Sequence, residues 1–195
     1  EIITLTAGNN EEKLDEYVNK FKPKYYYSNS DVKYSYGKRL KSYDEILKYD
    51  ESDLIVIALS GIEGIDPTIS STKQGRRILL ANKESLVAGG DILVELSKNN
   101  SSEIIPLDSE HSAIWQCIRN EDHRSIDRVI LTASGGALRD HSPEELKKIT
   151  VKDVLNHPTW KMGNKITVDS STLINKVFEV QEASNLFSLP LDKVD

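Results

Sequence analysis

The sequence predicts an α/β fold in two parts, an open parallel sheet first and an α+β domain after it. Two observations predict this. Short apolar runs at residues 2–6, 53–59 and 77–81 alternate with segments of helical period, as in chains that wind helices around a parallel sheet. From about Asn99 the alternation loses its regularity, beyond a polar stretch at residues 98–103.

Taken in order, residues 2–6 read as a buried strand. Ala7, Gly8, Asn9 and Asn10 form a turn, with Asn10 the N-cap of a helix that places Leu14, Tyr17, Val18 and Phe21 at helical spacing. Pro23 stops that helix, residues 24–27 form a short strand, and the tyrosine-rich residues 28–38 form a partly exposed loop. Ser42 and Glu45 make a capping box for a short helix. The continuous apolar run at 53–59 suits a parallel strand buried on both faces. Gly61 and Gly64 turn the chain into a helix that Gly75 ends. A strand at 77–81, a helix at 84–98 and a strand at 104–107 follow, and Ser109 starts another helix. Residues 129–132 read as a strand, Gly135 and Gly136 as a loop, and Thr150 with Asp153 as a cap for a short helix broken at His157-Pro158.

Composition removes several classes of function. With 31 acidic and 25 basic residues the net charge is −6, which argues against general nucleic-acid binding but not against an anionic substrate held by a few local cations. The single Cys117 excludes an internal disulfide and fits a reducing compartment; its place inside an amphipathic helix predicts a core position. No apolar run approaches the roughly 18 residues of a membrane span. The chain opens on Glu1 and enters a strand at once, which reads as a piece of a longer sequence.

Three stretches carry chemistry. In residues 157–179 a loop passes through a short β-type piece at 165–168 and enters a helix near Ser170. Asn175, Lys176 and Glu179 then share a helix face, and Ser170 offers its hydroxyl and nearby N–H groups to an anion. The set suits a phosphorylated ligand beside a metal; a surface helix with an ion pair is the alternative. Asp108 and Glu110 flank Ser109 at a strand end, where carboxylates at i and i+2 can converge on a cation, and Glu179 could supply a third oxygen. Such an all-oxygen site suits Mg²⁺ or Mn²⁺. The alternative is Asp108 as an N-cap with Glu110 exposed. Asn82, Lys83 and Glu84 lie at another strand–helix junction, where a lysine alone is usually a solvated group. Ser134, flanked by glycine, reads alone as structural. His111, His123 and His141 lack ligand spacing with one another and receive no chemistry.

Four motifs, LANKESLVAGG at 80–90, IIPLDSEHSAIWQ at 104–116, LTASGGALRD at 131–140 and HPTWKMGNKITVDSSTLINKVFE at 157–179, together resemble the 1-deoxy-D-xylulose 5-phosphate reductoisomerase family. The resemblance implies an NADPH-dependent enzyme of the methylerythritol phosphate route to isoprenoids, converting that phosphorylated ketose into 2-C-methyl-D-erythritol 4-phosphate. It implies Mn²⁺ or Mg²⁺ on Asp108, Glu110 and Glu179. It gives substrate contacts to Lys83, Ser109, Glu110, Ser134, His157, Ser170, Asn175, Lys176 and Glu179, with Lys83 and the three carboxylates at the reacting end. It gives NADPH contacts to Gly8, Asn9, Asn10, Asn82, Glu84 and Gly163. His157, Trp160 and Met162 resemble the family's active-site flap. Val177 stands where a small residue is usual, so packing beneath Glu179 is expected to differ slightly. A homodimer is implied for the full-length protein, in the cytoplasm of a bacterium or a plastid-type organelle of a eukaryote.

No G-x-G-x-x-G occurs; Gly61-x-x-Gly64 is the nearest pattern. The resemblance places that phosphate loop upstream of residue 1. The fold class is then a truncated Rossmann-like dinucleotide-binding domain at residues 1–98, lacking its first strand and phosphate loop, followed by an α+β catalytic domain at residues 99–195, incomplete at its C-terminus. Two expectations follow. The strands at 2–6 and 53–59 should each show an unpaired edge toward the missing central strand. These 195 residues alone should bind NADPH poorly and not turn it over. Two other readings are a two-domain NAD(P)-dependent oxidoreductase without rearrangement, and a catalytically silent metal- and phosphate-binding fragment.

Overall fold

The computed structural model describes residues 1–49 and 51–195. They divide into two compact units, Glu1–Ser112 and Ala113–Asp195.

The first unit holds two three-stranded parallel sheets, and each helix follows from a local signal. Strand β1 (Thr4–Ala7) leads into α1 (Glu11–Phe21), capped by the Asn10 side chain on the Lys13 amide at 3.1 Å. Leu14 and Val18, one turn apart on α1, bury against Tyr26 of β2 (Tyr25–Ser28), each such side chain contributing about 1.5–3 kcal/mol. A short β3 (Lys38–Arg39) completes the sheet in the order β1-β2-β3. Helix α2 (Tyr43–Tyr49) starts on Ser42, whose hydroxyl accepts the Glu45 amide at 3.1 Å. The Glu45 carboxylate reaches back to the Lys41 amide instead of the Ser42 amide of a full capping box.

The second sheet runs β4 (Leu54–Ile57), β5 (Arg77–Leu80), β6 (Glu103–Pro106), all parallel. A 3-10 turn at Gly61–Gly64 and α3 (Ile65–Lys73) connect β4 to β5, and α4 (Lys83–Asn100) connects β5 to β6. Gly75, at φ 69°, supplies the left-handed residue that ends α3. Because β6 pairs with β5, the polar stretch near residues 98–103 is a connection inside this unit, and the division falls later, within α5 (Ser109–Ile118).

Among the described residues β1 is paired only with β2 and β4 only with β5, so both expected free edges are present. The expectation of a doubly buried strand at 53–59 fails as well. Leu54 and Val56, on one face of β4, are 40% and 59% exposed.

The second unit has no sheet among its described residues. The strand expected at 129–132 is reduced to one bridge between Val129 and Val194. Its core gathers Ile118, Val129, Ala183, Phe187, Leu189 and Val194. Short helices α6 (Pro143–Leu146) and α7 (Val151–Val154) each carry a capping box, on Ser142 with Glu145 and on Thr150 with Asp153.

Two further expectations fail here. The β-type piece at 165–168 is helical, within α8 (Asn164–Ser171). Its β-branched run suggests a strand, but Thr167 Oγ1 donates to the Gly163 carbonyl at 2.8 Å and Lys165 pairs with Asp169 at 2.7 Å, both one turn apart. Ser170 therefore lies at the end of a helix, not at its start. The next helix, α9 (Ile174–Phe187), begins after Leu173, which sits in the left-handed region at φ 63°. Cys117, expected in the core, is exposed on α5.

Candidate active site

In the first unit the candidate residues stand where β5 and β6 give way to helices. Asn82 caps α4 and is 2% exposed. Its Nδ2 donates to the carbonyls of Leu59 at 2.8 Å and Gly61 at 2.7 Å, and its Oδ1 accepts the Ser85 amide at 2.8 Å. A side-chain amide donates and accepts from one planar group in this way. The fit is close: a Cβ on Gly64 would lie 2.4 Å from Asn82 Cγ. Asn82 thus fixes the junction from which Lys83 and Glu84 project, and much of its hydrogen-bonding capacity is spent there.

At the end of β6, Asp108 pairs with the Lys83 ammonium, their side chains 16% and 12% exposed. The fully buried His111 places Nδ1 2.9 Å from Asp108 Oδ1. The Glu110 amide donates to the same oxygen at 3.2 Å, so the capping role considered for Asp108 is real and coexists with the ion pair. Burial pushes the Asp108 carboxyl up. The His111 hydrogen bond and the Lys83 charge outweigh it and hold the group well below the usual carboxylate range. Glu110 is half-buried and accepts from the Ser109 hydroxyl. Asp108, Ser109 and Glu110 therefore form one oxygen-rich cluster beside Lys83. His111 was missed by the sequence reading, although its place three residues after a helix-capping aspartate is the signal that could have found it.

The Gly8–Asn9–Asn10 turn follows β1 in the same unit. Asn10 is spent on its cap, while Asn9 Oδ1 accepts from Asn29 Nδ2 at 3.4 Å.

In the second unit, α9 presents the remaining groups. Glu179 is 2% exposed; its Oε1 accepts from Asn175 Nδ2 at 2.6 Å and its Oε2 pairs with Lys176. Lys176 also donates to the Thr132 carbonyl at 2.6 Å, which ties the helix to the chain leading into Ser134. Gly135 takes φ 78°, and a Cβ on Gly136 would lie 2.0 Å from the Ser170 carbonyl oxygen. The glycine loop and the end of α8 are thus in direct contact, Gly136 against Ser170. The Ser170 hydroxyl donates to the Thr167 carbonyl at 2.9 Å.

His157 clamps its own loop to the glycine loop. Nε2 donates to the Gly135 carbonyl at 3.0 Å, and Nδ1 accepts the Thr159 and Trp160 amides at 3.1 and 3.0 Å. That pattern belongs to the Nε2-protonated tautomer. Trp160 is 57% exposed and so is not a core residue. Val177 is exposed as well, so it does not pack beneath Glu179. Gly163 faces open space at its Cβ position.

A family model described as 1-deoxy-D-xylulose 5-phosphate reductoisomerase matches residues 1–90, and one described as its C-terminal domain matches residues 104–187. The chain is 46% identical to the 1-deoxy-D-xylulose 5-phosphate reductoisomerase of Thermoanaerobacter sp. strain X514, over 100% of this chain and 54% of that one. It is 43% identical to that of Francisella tularensis subsp. novicida, again over 100% and 54%. The chain spans about half the length of the curated relatives it matches. A solved structure of DOX-P reductoisomerase in complex with NADPH, fosmidomycin and magnesium superposes with a TM-score of 0.90 at 34% identity, over 99% of this chain and 53% of that one. The Zymomonas mobilis enzyme in complex with NADPH superposes at 0.83 with 30% identity, over 99% and 52%.

Proposed function

The chain belongs to the 1-deoxy-D-xylulose 5-phosphate reductoisomerase family, and from that membership we propose that it carries the NADPH- and metal-dependent conversion of 1-deoxy-D-xylulose 5-phosphate into 2-C-methyl-D-erythritol 4-phosphate. The observation that carries the reading is the Asp108–Glu110 pair at the end of β6, with Asp108 kept ionised between Lys83 and His111.

Asp108, Glu110 and Glu179 are the proposed metal ligands. Three carboxylates, one of them held in its charged form, fit a hard divalent cation such as Mn²⁺ or Mg²⁺. When bound, that cation supplies Lewis-acid polarisation of the ketone, and NADPH supplies the hydride. The chain's own residues do the rest. Lys83 and Ser109 position the hydroxyls near the reacting carbons. Ser134, Ser170, Asn175 and Lys176 hold the phosphate, and His157 keeps the flap against the glycine loop. Lys176 is a point charge suited to phosphate, and its hold at a distance from the chemistry orients the ketose. Gly8, Asn9, Asn10, Asn82, Glu84 and Gly163 are assigned to the NADPH side, Asn82 by shaping the junction. The protein in full is proposed to be a homodimer, cytoplasmic in a bacterium. No helix of the described residues is long and apolar enough to cross a membrane.

The test is turnover by the protein as its gene encodes it, with the ketose phosphate, NADPH and Mn²⁺. NADPH oxidation should yield a branched carbon skeleton by NMR. A straight-chain reduced product would favour an ordinary oxidoreductase, and absence of turnover would favour a binding protein.

A further inference from the structure

The adenosine end of the proposed dinucleotide site includes a charged group that the proposed function does not use. In dinucleotide folds the turn after the second strand meets the adenosine ribose, and an acidic group there accepts from the 2′-hydroxyl, whereas a cation meets a 2′-phosphate. On the proposed reading that turn is Gly8–Asn9–Asn10. Around it stand Asn9, Asn29 and the Tyr27 hydroxyl, which donates to Asn29 Oδ1 at 3.2 Å. The fourth group is Glu63, on the 3-10 turn Gly61–Gly64, with Oε2 3.3 Å from the Cβ position of Gly8. Glu63 is exposed and has no cationic partner among the described residues. Lys13, on the neighbouring α1, is engaged with Glu16 at 2.9 Å, and Arg39, on β3, with Asp31 at 2.8 Å.

We infer that Glu63 is a specificity-determining residue for the dinucleotide, disfavouring a 2′-phosphate and admitting NADH alongside NADPH. A ribose diol offers two O–H donors, which a carboxylate and an amide oxygen accept. A phosphate brings nearly two negative charges toward Glu63 and meets amides that bond it without neutralising it. The Glu63 charge is felt at a neighbouring group: after burial, which is foremost, and Tyr27, it helps push the Tyr43 phenol up to about 12.

The inference rests on the proposed dinucleotide site, and the experiment separates the two. Dissociation constants for NADPH and NADH are measured by calorimetry on the encoded protein, wild type, Glu63→Gln and Asn9→Lys. Glu63→Gln should tighten NADPH by about three- to tenfold, leave NADH within about twofold, and lose most of the effect in high salt. Asn9→Lys should shift the ratio in the same direction. If Asn9→Lys shifts the ratio while Glu63→Gln does not, the site stands and the role of Glu63 falls. Equal tightening of both cofactors by Glu63→Gln also overturns it. If neither dinucleotide binds, the proposed function and this inference fall together.

Discussion

Asp108 and Glu179 are both largely buried carboxylates, yet the chain surrounds them in opposite ways. Asp108 is met by His111 and the Glu110 amide from its own helix start, and by Lys83 from α4, which only the fold brings to it. Glu179 is met by Asn175 and Lys176, one turn earlier on its own helix. Ionisation of the first depends in part on tertiary structure, through Lys83. The neighbours of the second follow from helical spacing alone.

The largest expected effect breaks the first arrangement. Lys83→Met leaves the Asp108 anion largely buried and should destabilise the protein by about 3–5 kcal/mol in denaturant unfolding. Asp108→Asn added in the same background should recover part of that loss. Additive losses in the double variant would mean that the two groups are not coupled.

Gly136→Ala breaks the second unit without touching a charge. Its Cβ would meet the Ser170 carbonyl, a backbone atom that cannot rotate away, and about 3 kcal/mol of stability should go. An unchanged unfolding midpoint would show that the loop and α8 are not in contact.

Lys176→Ala should weaken binding of the phosphorylated substrate by about 1.5–3 kcal/mol, with NADPH affinity nearly unchanged. If NADPH binding falls instead, Lys176 serves the other ligand.

The smallest effect is one of pH. Asp108 is held below its ordinary value of 3.8, so the unfolded chain takes up that proton more readily than the folded one. The stabilisation is complete above about pH 4 and is lost as pH falls through the folded value. The stability gap between wild type and Asp108→Asn should therefore stay constant from neutrality to about pH 4 and narrow only below it. A gap that closes nearer neutrality would place the titrating group elsewhere.

The same contrast explains what could be read from the sequence. The strand–helix alternation of the first unit was legible because apolar runs, N-caps and terminal glycines are local signals; Asn10, Ser42 and Gly75 act where expected. The shared face of Asn175, Lys176 and Glu179 was legible for the same reason. Three features were not. The exposed face of β4 depends on what packs over that face, and no local pattern encodes that. Residues 165–168 are helical despite their β-branched run, and the left-handed Leu173 then moves the start of α9 beyond Ser170. The partnership of Lys83, Asp108 and His111 joins two strand ends brought side by side by the β5–β6 pairing.

On the proposed function, Asp108, Glu110 and Glu179 hold one divalent cation. Mn²⁺ binding to the encoded protein, followed by electron paramagnetic resonance in wild type, Asp108→Asn, Glu110→Gln and Glu179→Gln, tests it directly. Each substitution keeps the side-chain volume and removes one charge, and each should weaken Mn²⁺ by at least about tenfold, since even outer groups of metal sites commonly cost about 10–100-fold. Wild-type affinity in Glu179→Gln, with losses confined to Asp108→Asn and Glu110→Gln, would leave a site made by the β6 end alone and contradict the account.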